Sequence, residues 1–588
     1  MEKLYKYLTF AILGLLVVWR IPFLNKGIDY TDTGFNMANY RDFFADLQNN
    51  GIGMFMTDFV GSVIYNILPS HQLLVFRILH LMMWSGTFLI IFFTFRRSTP
   101  SFYNLVLAAV LLAVSSYQKI GEAIFSYYPF SMLVIATAIY LIYTALTRDK
   151  KLRLFIGGVV LGLSVGVRLS NVLFFALAAG VFWYYLCNKE YRKGFARSGI
   201  MLGGAFSGLV AMAIFEIIVI GPATVIGSFT SYSNLASSSS QDHGIINQIL
   251  HIFEQIGVAI VPMIKYFCPM ILAGFAFIMV YKKVFAKFSE SYKGRVVMYG
   301  LVAVICAMWL FLIRGVINST RFVHIFGLLA LVMGFVAVFA LMKKHPELSA
   351  ACVMCIICAG CIVLGTDLGI TRFADVLPQL CVLMLISAAY VVPSALKSES
   401  KLRYYGGLWF NAAAKTTVIF LTGFAVIVSM FTMIPNTYND ARYDELTTSP
   451  SKDIPVLSGM KTTPQRAESF NNLHKAMTEN ELVGDREVVS VGMFPLIFNI
   501  VDNDNYFTTP CIDYNSVSAE RLTSQYETKK EQGIHPVVVI SRMYMIQTGA
   551  DTYCADADKA ALIDRILSDC EYKLIFSDTY FDVWAPIE

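Results

Sequence analysis

Long uncharged apolar runs, 81–94 and 296–313 among them, recur along the chain between short basic clusters. Segments of that length and polarity are helices that cross a bilayer, so the chain reads as an α-helical polytopic membrane protein. Composition agrees. Hydrophobic residues make up 56% and charged residues 15%, against roughly 25% charged in a soluble protein. A collagen, a disordered chain and a disulfide-stapled secreted domain are excluded.

Apolar stretches of about 20 residues predict thirteen spans, near 7–24, 71–94, 102–118, 127–147, 153–167, 170–187, 199–221, 256–281, 296–314, 322–342, 349–366, 377–395 and 412–434. The fifth and sixth share a kink at Arg168-Leu-Ser-Asn. The first resembles a signal peptide, with Lys3 and Lys6 before its apolar run. However, Arg20-Ile-Pro-Phe-Leu follows where a cleavage site needs small residues, so the helix is expected to be uncleaved.

With the N-terminus in the cytoplasm, inner loops hold about 22 Lys/Arg and outer loops of the membrane part about 8, the expected bias. An odd number of spans then puts residues 435–588 outside. That tail carries about 13 Lys/Arg against about 24 Asp/Glu, although the whole chain is +5. Two domains are expected: 1–434, multi-span with a long first external loop at 25–70, and 435–588, a small extracytoplasmic α/β domain. In the tail, Val488-Val-Ser-Val and Val537-Val-Val-Ile read as buried strands, 557–567 as an amphipathic helix, and 573–584 as strand or hairpin. Gly492 follows a strand without a GxGxxG or P-loop pattern, so nucleotide binding has little support. No basic patch with interleaved aromatics points to nucleic acid.

Cys352, Cys355, Cys358 and Cys361 have cluster-like spacing but lie in a purely apolar helical run, where they read as small packing residues. Cys554 and Cys570 are close enough to a disulfide pattern to leave a bridge open. Chemistry is better sought in carboxylates at the membrane surface, where a low-dielectric wall raises carboxyl pKa and suits general-base work. Asp29 and Asp32 follow the first span; simple solvation or helix capping is the bland reading of both. Glu122 lies in the second external loop, where it could equally favour a helix dipole. Arg77, Arg168, Lys265, Arg314, Arg321 and Arg372 lie at or just inside outer span ends. Cations there are expensive and either functional or paired; Lys265 has Glu216 as a candidate partner. Arg suits phosphate by bidentate geometry. Tyr127 and Tyr128 read as interfacial belt aromatics rather than sugar platforms.

Asp32-Thr-Gly-Phe-Asn-Met-Ala resembles the Asp-Glu-Gly-x-Tyr-x-x-x-Ala segment in the first external loop of the GT-C superfamily of membrane glycosyltransferases. These include aminoarabinose transferases and protein O-mannosyltransferases. The stretch 64–79 is similar to their second span with its Leu-Arg-Leu setting, and 157–171 to their Gly-Leu-x-x-x-x-Lys/Arg helix. The span count, first loop and external tail resemble the aminoarabinose-transferase layout. The resemblance implies Asp32 as catalytic carboxylate, Asp29 as its substitute, and Glu122 as a second acid. Thr33 stands where the family has Glu, which leaves metal use and the acceptor open; no cofactor is indicated.

The implied activity is transfer of a sugar, with inversion, from a polyprenyl-phosphate donor to a glycan, lipid or protein acceptor outside the bacterial plasma membrane. The cations would stabilise the leaving lipid phosphate. Rival readings are a lipid or polysaccharide transporter, expected to show inverted repeats, a polysaccharide polymerase or ligase, and a non-catalytic membrane scaffold. The tail, lacking an acid/base constellation, is expected to support binding rather than chemistry.

Overall fold

The computed structural model describes residues 2–45, 47, 51–116, 124–237, 249–262, 264–265, 320–366, 368–391, 437–484, 486–514, 517–554 and 556–587, with isolated helical positions at 300, 304, 308, 423, 426 and 427. Among these, seven helical segments are long and apolar enough to cross a membrane. The chain is an integral membrane protein. The described helices used below are α1 (Glu2–Val18), α2 (Asp32–Asp42), α3 (Phe55–Ile67), α4 (Gln72–Phe95), α5 (Ser101–Ser115), α6 (Tyr127–Arg148), α7 (Lys151–Val167), α8 (Leu177–Cys187) and α9 (Tyr191–Ile220). The expected spans near 296–314 and 412–434 lie almost wholly outside the described residues.

The expected kink is present. Arg168 closes α7 in an extended conformation, and a 3-10 segment, Leu169–Ala176, leads into α8. Small residues bring α7 and α9 into backbone contact: a Cβ on Gly158 would lie 2.0 Å from the Met201 carbonyl oxygen, and one on Gly208 2.3 Å from that of Val159. In lipid, where apolar surface drives little association, such close approach supplies the packing energy. The cysteine run lies on the helix Pro346–Leu364, its four thiols unbridged and at most 7% exposed, as packing residues should be.

The long first loop carries two helices, α2 and α3. In the tail, β1 (Val488–Val491), β2 (Val537–Ser541), β3 (Tyr572–Ser577) and β4 (Phe581–Pro586) form one sheet in the order β1-β2-β4-β3. β1 and β2 are parallel and buried throughout, which explains their uninterrupted apolar runs. β3 and β4 make the expected hairpin, and the helix Ala557–Asp569 covers one face. Cys554 and Cys570 are free thiols.

The other face of the sheet shares its core with the membrane part. Ile28, Tyr30 and Met37 of the first loop, and Phe76 of α4, pack in one buried cluster with Phe494, Ile497, Val539 and Phe581. Gly34 makes this docking close: a Cβ there would lie 2.4 Å from the Leu496 backbone nitrogen, so any other residue would push α2 off the tail.

Candidate active site

Asp29 and Asp32 are three residues apart but have opposite surroundings. Asp29 is fully buried. Its carboxylate accepts from the backbone N–H of Thr31 (3.0 Å) and Thr33 (2.7 Å), from the Thr31 hydroxyl (2.8 Å) and from Asn439 Nδ2 (2.9 Å). It satisfies the free N–H groups at the start of α2, the task of a helix cap. With four donors on its two oxygens it has little capacity left for an incoming hydroxyl.

Asp32, the first residue of α2, turns its carboxylate into the open. Tyr438 donates its hydroxyl to Oδ2 at 3.1 Å, and Tyr514 to Oδ1 at 3.2 Å. By area Asp32 is exposed, yet the surrounding protein takes part of its water away. That partial loss of water raises its carboxyl above the ordinary range, and the neighbouring Asp29 charge adds to the effect. The two tyrosine hydroxyls and the Arg372 guanidinium oppose it without cancelling it.

The tail positions this carboxylate. Tyr438, Asn439 and Asp440 grip the first loop in succession: the first holds Asp32, the second Asp29 and Thr31 (2.6 Å), and the third the Ile28 N–H (2.7 Å). Arg466 in turn fixes the Asp440 carboxylate (2.9 Å) and the Asn439 carbonyl (2.8 Å). Tyr514 arrives from the carboxyl ends of β1 and β2. There Gly492 has φ +85, and a Cβ on it would lie 2.0 Å from the Ser541 carbonyl oxygen. The Gly492 and Met493 N–H groups donate to Asp513 (3.1 and 2.8 Å), while buried Lys559 donates to the Tyr514 carbonyl (2.9 Å). The Tyr514 ring packs edge-on against Phe35 of α2.

Two cations lie within electrostatic reach of the same group as Asp32, the Tyr127 side chain. The Arg372 guanidinium lies 3.7 Å over the Tyr128 ring; Arg168 lies 5.4 Å from the Tyr127 ring centre and 5.1 Å from that of Tyr128. Asp375 lies 3.7 Å from Arg372, and its carboxyl, raised by burial, is pulled down by both arginines. Arg168 also donates to the Gly365 carbonyl (2.9 Å). Tyr127 and Tyr128, expected at the membrane belt, are the aromatic platform on which both guanidiniums rest.

Of the residues singled out in the sequence, Asp32, Arg168 and Arg372 therefore converge. Arg77 does not join them. It is 1% exposed and donates to the carbonyls of Leu24 (3.1 Å), Lys26 (2.7 Å) and Gly27 (2.6 Å), locking the first loop onto α4. Arg77→Gln should orphan some of these carbonyls at about 1–3 kcal/mol for each buried group left unpaired. The expected outcome is a lower Tm and a lower yield of folded protein. Lys265 is exposed in the structure. Glu122 and Arg314 lie outside the described residues, as does the Arg321 side chain. Among the described residues, no three His, Cys, Asp or Glu side chains group as metal ligands.

No family profile matches the sequence, and no curated protein does. The structure is similar to the Archaeoglobus fulgidus oligosaccharyltransferase tethered to an acceptor peptide, with 12% identity and TM-score 0.47, over 99% of this chain and 74% of that one. It is also similar to ArnT from Cupriavidus metallidurans bound to undecaprenyl phosphate, with 11% identity and TM-score 0.39, over 99% of this chain and 97% of that one.

Proposed function

We propose that this protein transfers a sugar from a polyprenyl-phosphate carrier to an acceptor hydroxyl at the extracytoplasmic face of a bacterial plasma membrane. The observation that carries the reading is that one open carboxylate, Asp32, and two guanidiniums, Arg168 and Arg372, gather around the Tyr127–Tyr128 pair. The motif resemblance around Asp32 supports it.

In this mechanism Asp32 takes the acceptor hydroxyl proton as the oxygen attacks the anomeric carbon. The new carbon–oxygen bond forms as the bond to the lipid phosphate breaks on the opposite side, giving inversion. A phosphate leaving group needs charge stabilisation rather than a proton, and Arg168 and Arg372 supply it in a setting of low dielectric. If the two guanidiniums carry all of the leaving-group charge, turnover should persist in EDTA, and loss of turnover there would show that a divalent cation shares that task. The test is release of polyprenyl phosphate from a panel of polyprenyl-phosphate sugars by the purified protein. Turnover that ignores Asp32 would overturn the reading.

The tail tyrosines enter the pH dependence. Asp32 acts as a base only when ionised, so the rate falls as pH drops through its raised pKa. Tyr438→Phe and Tyr514→Phe each remove a hydrogen bond that favours the ionised form. The acidic limb of kcat/KM should move to higher pH by about one unit in each variant. A lowered plateau with an unmoved limb would make the tyrosines merely structural.

Sidedness has its own test. Cys511 is buried, so an impermeant thiol reagent should be aimed at a cysteine placed at exposed Asp551, in a Cys570→Ser background. Labelling is expected on intact cells. Labelling only after the membrane is opened would place the site in the cytoplasm.

A further inference from the structure

α4 and α6 both begin on the side where the tail docks. α6 starts with the two tyrosines of the site, and the residue before α4, His71, donates its N–H to Pro455 of the tail (2.9 Å). The two helices run 24 and 22 residues, so their far ends lie about 33–36 Å away. Between those ends is a cavity of ≈ 610 Å³.

Its lining has two characters. Ile90 and Phe93 give it apolar surface, the hydroxyls of Thr94, Thr144 and Thr147 in the lining are turned back onto carbonyls of their own helices, and Arg96, Arg97 and Arg148 line it at the helix ends. The Ser98 and Tyr143 hydroxyls meet at 2.7 Å between them. Among the described residues, no carboxylate lines this cavity. Asp149, next in sequence to Arg148, is already held by Arg197 (2.5 Å) and Lys193 (3.7 Å). An adjoining cavity of ≈ 440 Å³ shares Arg96 and Arg97 and adds Lys3 and Lys6 against the single acid Glu2.

Three guanidiniums around one hollow repel each other, and the more so where apolar walls lower the dielectric. An anion bound among them would remove that cost. Along the apolar surface there is also room for an acyl chain. Apolar surface and cationic helix ends together match a phospholipid with an anionic headgroup, the ligand expected of basic pockets between span ends. We propose that the cleft between the far ends of α4 and α6 binds an anionic phospholipid, whose phosphate is held by Arg96, Arg97 and Arg148. This site shares no residue with the group around Asp32, and nothing in it depends on the protein being a transferase.

The test uses full-length protein in detergent, offered equal amounts of phosphatidylglycerol and phosphatidylcholine, with retained lipid counted by native mass spectrometry. The wild type should retain phosphatidylglycerol preferentially. Arg97→Gln with Arg148→Gln, both exposed residues, should reduce that retention about tenfold, the effect of losing a charge-assisted phosphate contact. Lys343→Gln with Lys344→Gln removes the same charge from exposed positions after another helix and should leave retention unchanged. Equal loss in both pairs would reduce the cleft to a generally basic surface and overturn the proposal. So would a wild type that shows no preference, a result independent of how any variant folds. If inorganic phosphate alone raises Tm as much as phosphatidylglycerol does, the occupant is a soluble phosphate compound and the lipid assignment fails.

Discussion

Asp32→Asn should slow sugar transfer by about 10²–10⁴-fold, the usual loss when general-base help is removed. The substitution keeps the size of the side chain and one carbonyl acceptor for Tyr438 or Tyr514. It removes the negative charge and the site for the acceptor's proton. Stability should change little, because Asp32 is exposed and an acid in the first turn of a helix contributes only about 0.3–1 kcal/mol. Lipid-phosphate binding should also survive, since a carboxylate does not attract an anion. The expected signature is a fall in kcat with intact donor affinity. Near-normal turnover would remove Asp32 from the mechanism and turn attention to Glu122.

Asp29→Asn is a different experiment from the one its proximity invites. Its carboxylate accepts from two backbone N–H groups, a hydroxyl and an amide. Asparagine offers one acceptor oxygen in place of two, and its amide would oppose donors already there. Loss of activity in that variant should therefore follow loss of the folded loop, visible as a lower Tm. In Asp32→Asn the activity falls without it.

The membrane spans were legible because an apolar run of about 20 residues has few alternative folds. Likewise β1 and β2 announced themselves as short Val-rich runs buried on both faces. Arg77 was misleading for a physical reason. An arginine in an apolar helix signals an energetic cost that something must meet, but here backbone carbonyls meet it, and those leave no mark on side-chain identity. Tyr438 and Tyr514 were invisible for another reason. They stand 406 and 482 residues from Asp32, in polar stretches without periodicity, and only docking of the tail onto α2 brings them there. Tyr127 and Tyr128 look like belt residues because an aromatic at a span end satisfies the interface and a cation equally well. What separates the cases is the partner, and both partners come from distant loops. The consequence is functional. The tail was expected to support binding alone, yet its hydroxyls touch the one carboxylate that the proposed chemistry needs.

Neutralising Arg372 should weaken lipid-phosphate affinity about ten- to a hundredfold, because a hydrogen bond to a charged group contributes about 1.5–3 kcal/mol. Arg168 should show a similar loss in affinity and an additional loss in stability, since one of its nitrogens also holds the Gly365 carbonyl. The complication is Asp375, which is 9% exposed and pairs with Arg372. Removing the arginine alone leaves a buried carboxylate short of a partner, and that alone destabilises a protein. Burial already raises the Asp375 carboxyl while the two arginines lower it. Without Arg372 it should take up a proton more readily, so Arg372→Gln should be more stable in mild acid than at neutral pH. The double variant Arg372→Gln with Asp375→Asn separates the two effects. It removes the uncompensated charge and should restore Tm across that pH range. If Arg372 holds the lipid phosphate, donor affinity stays low in the double variant, because the guanidinium is still missing. If Arg372 serves only to neutralise Asp375, affinity returns with stability, and the phosphate must be held by Arg168 or by another cation.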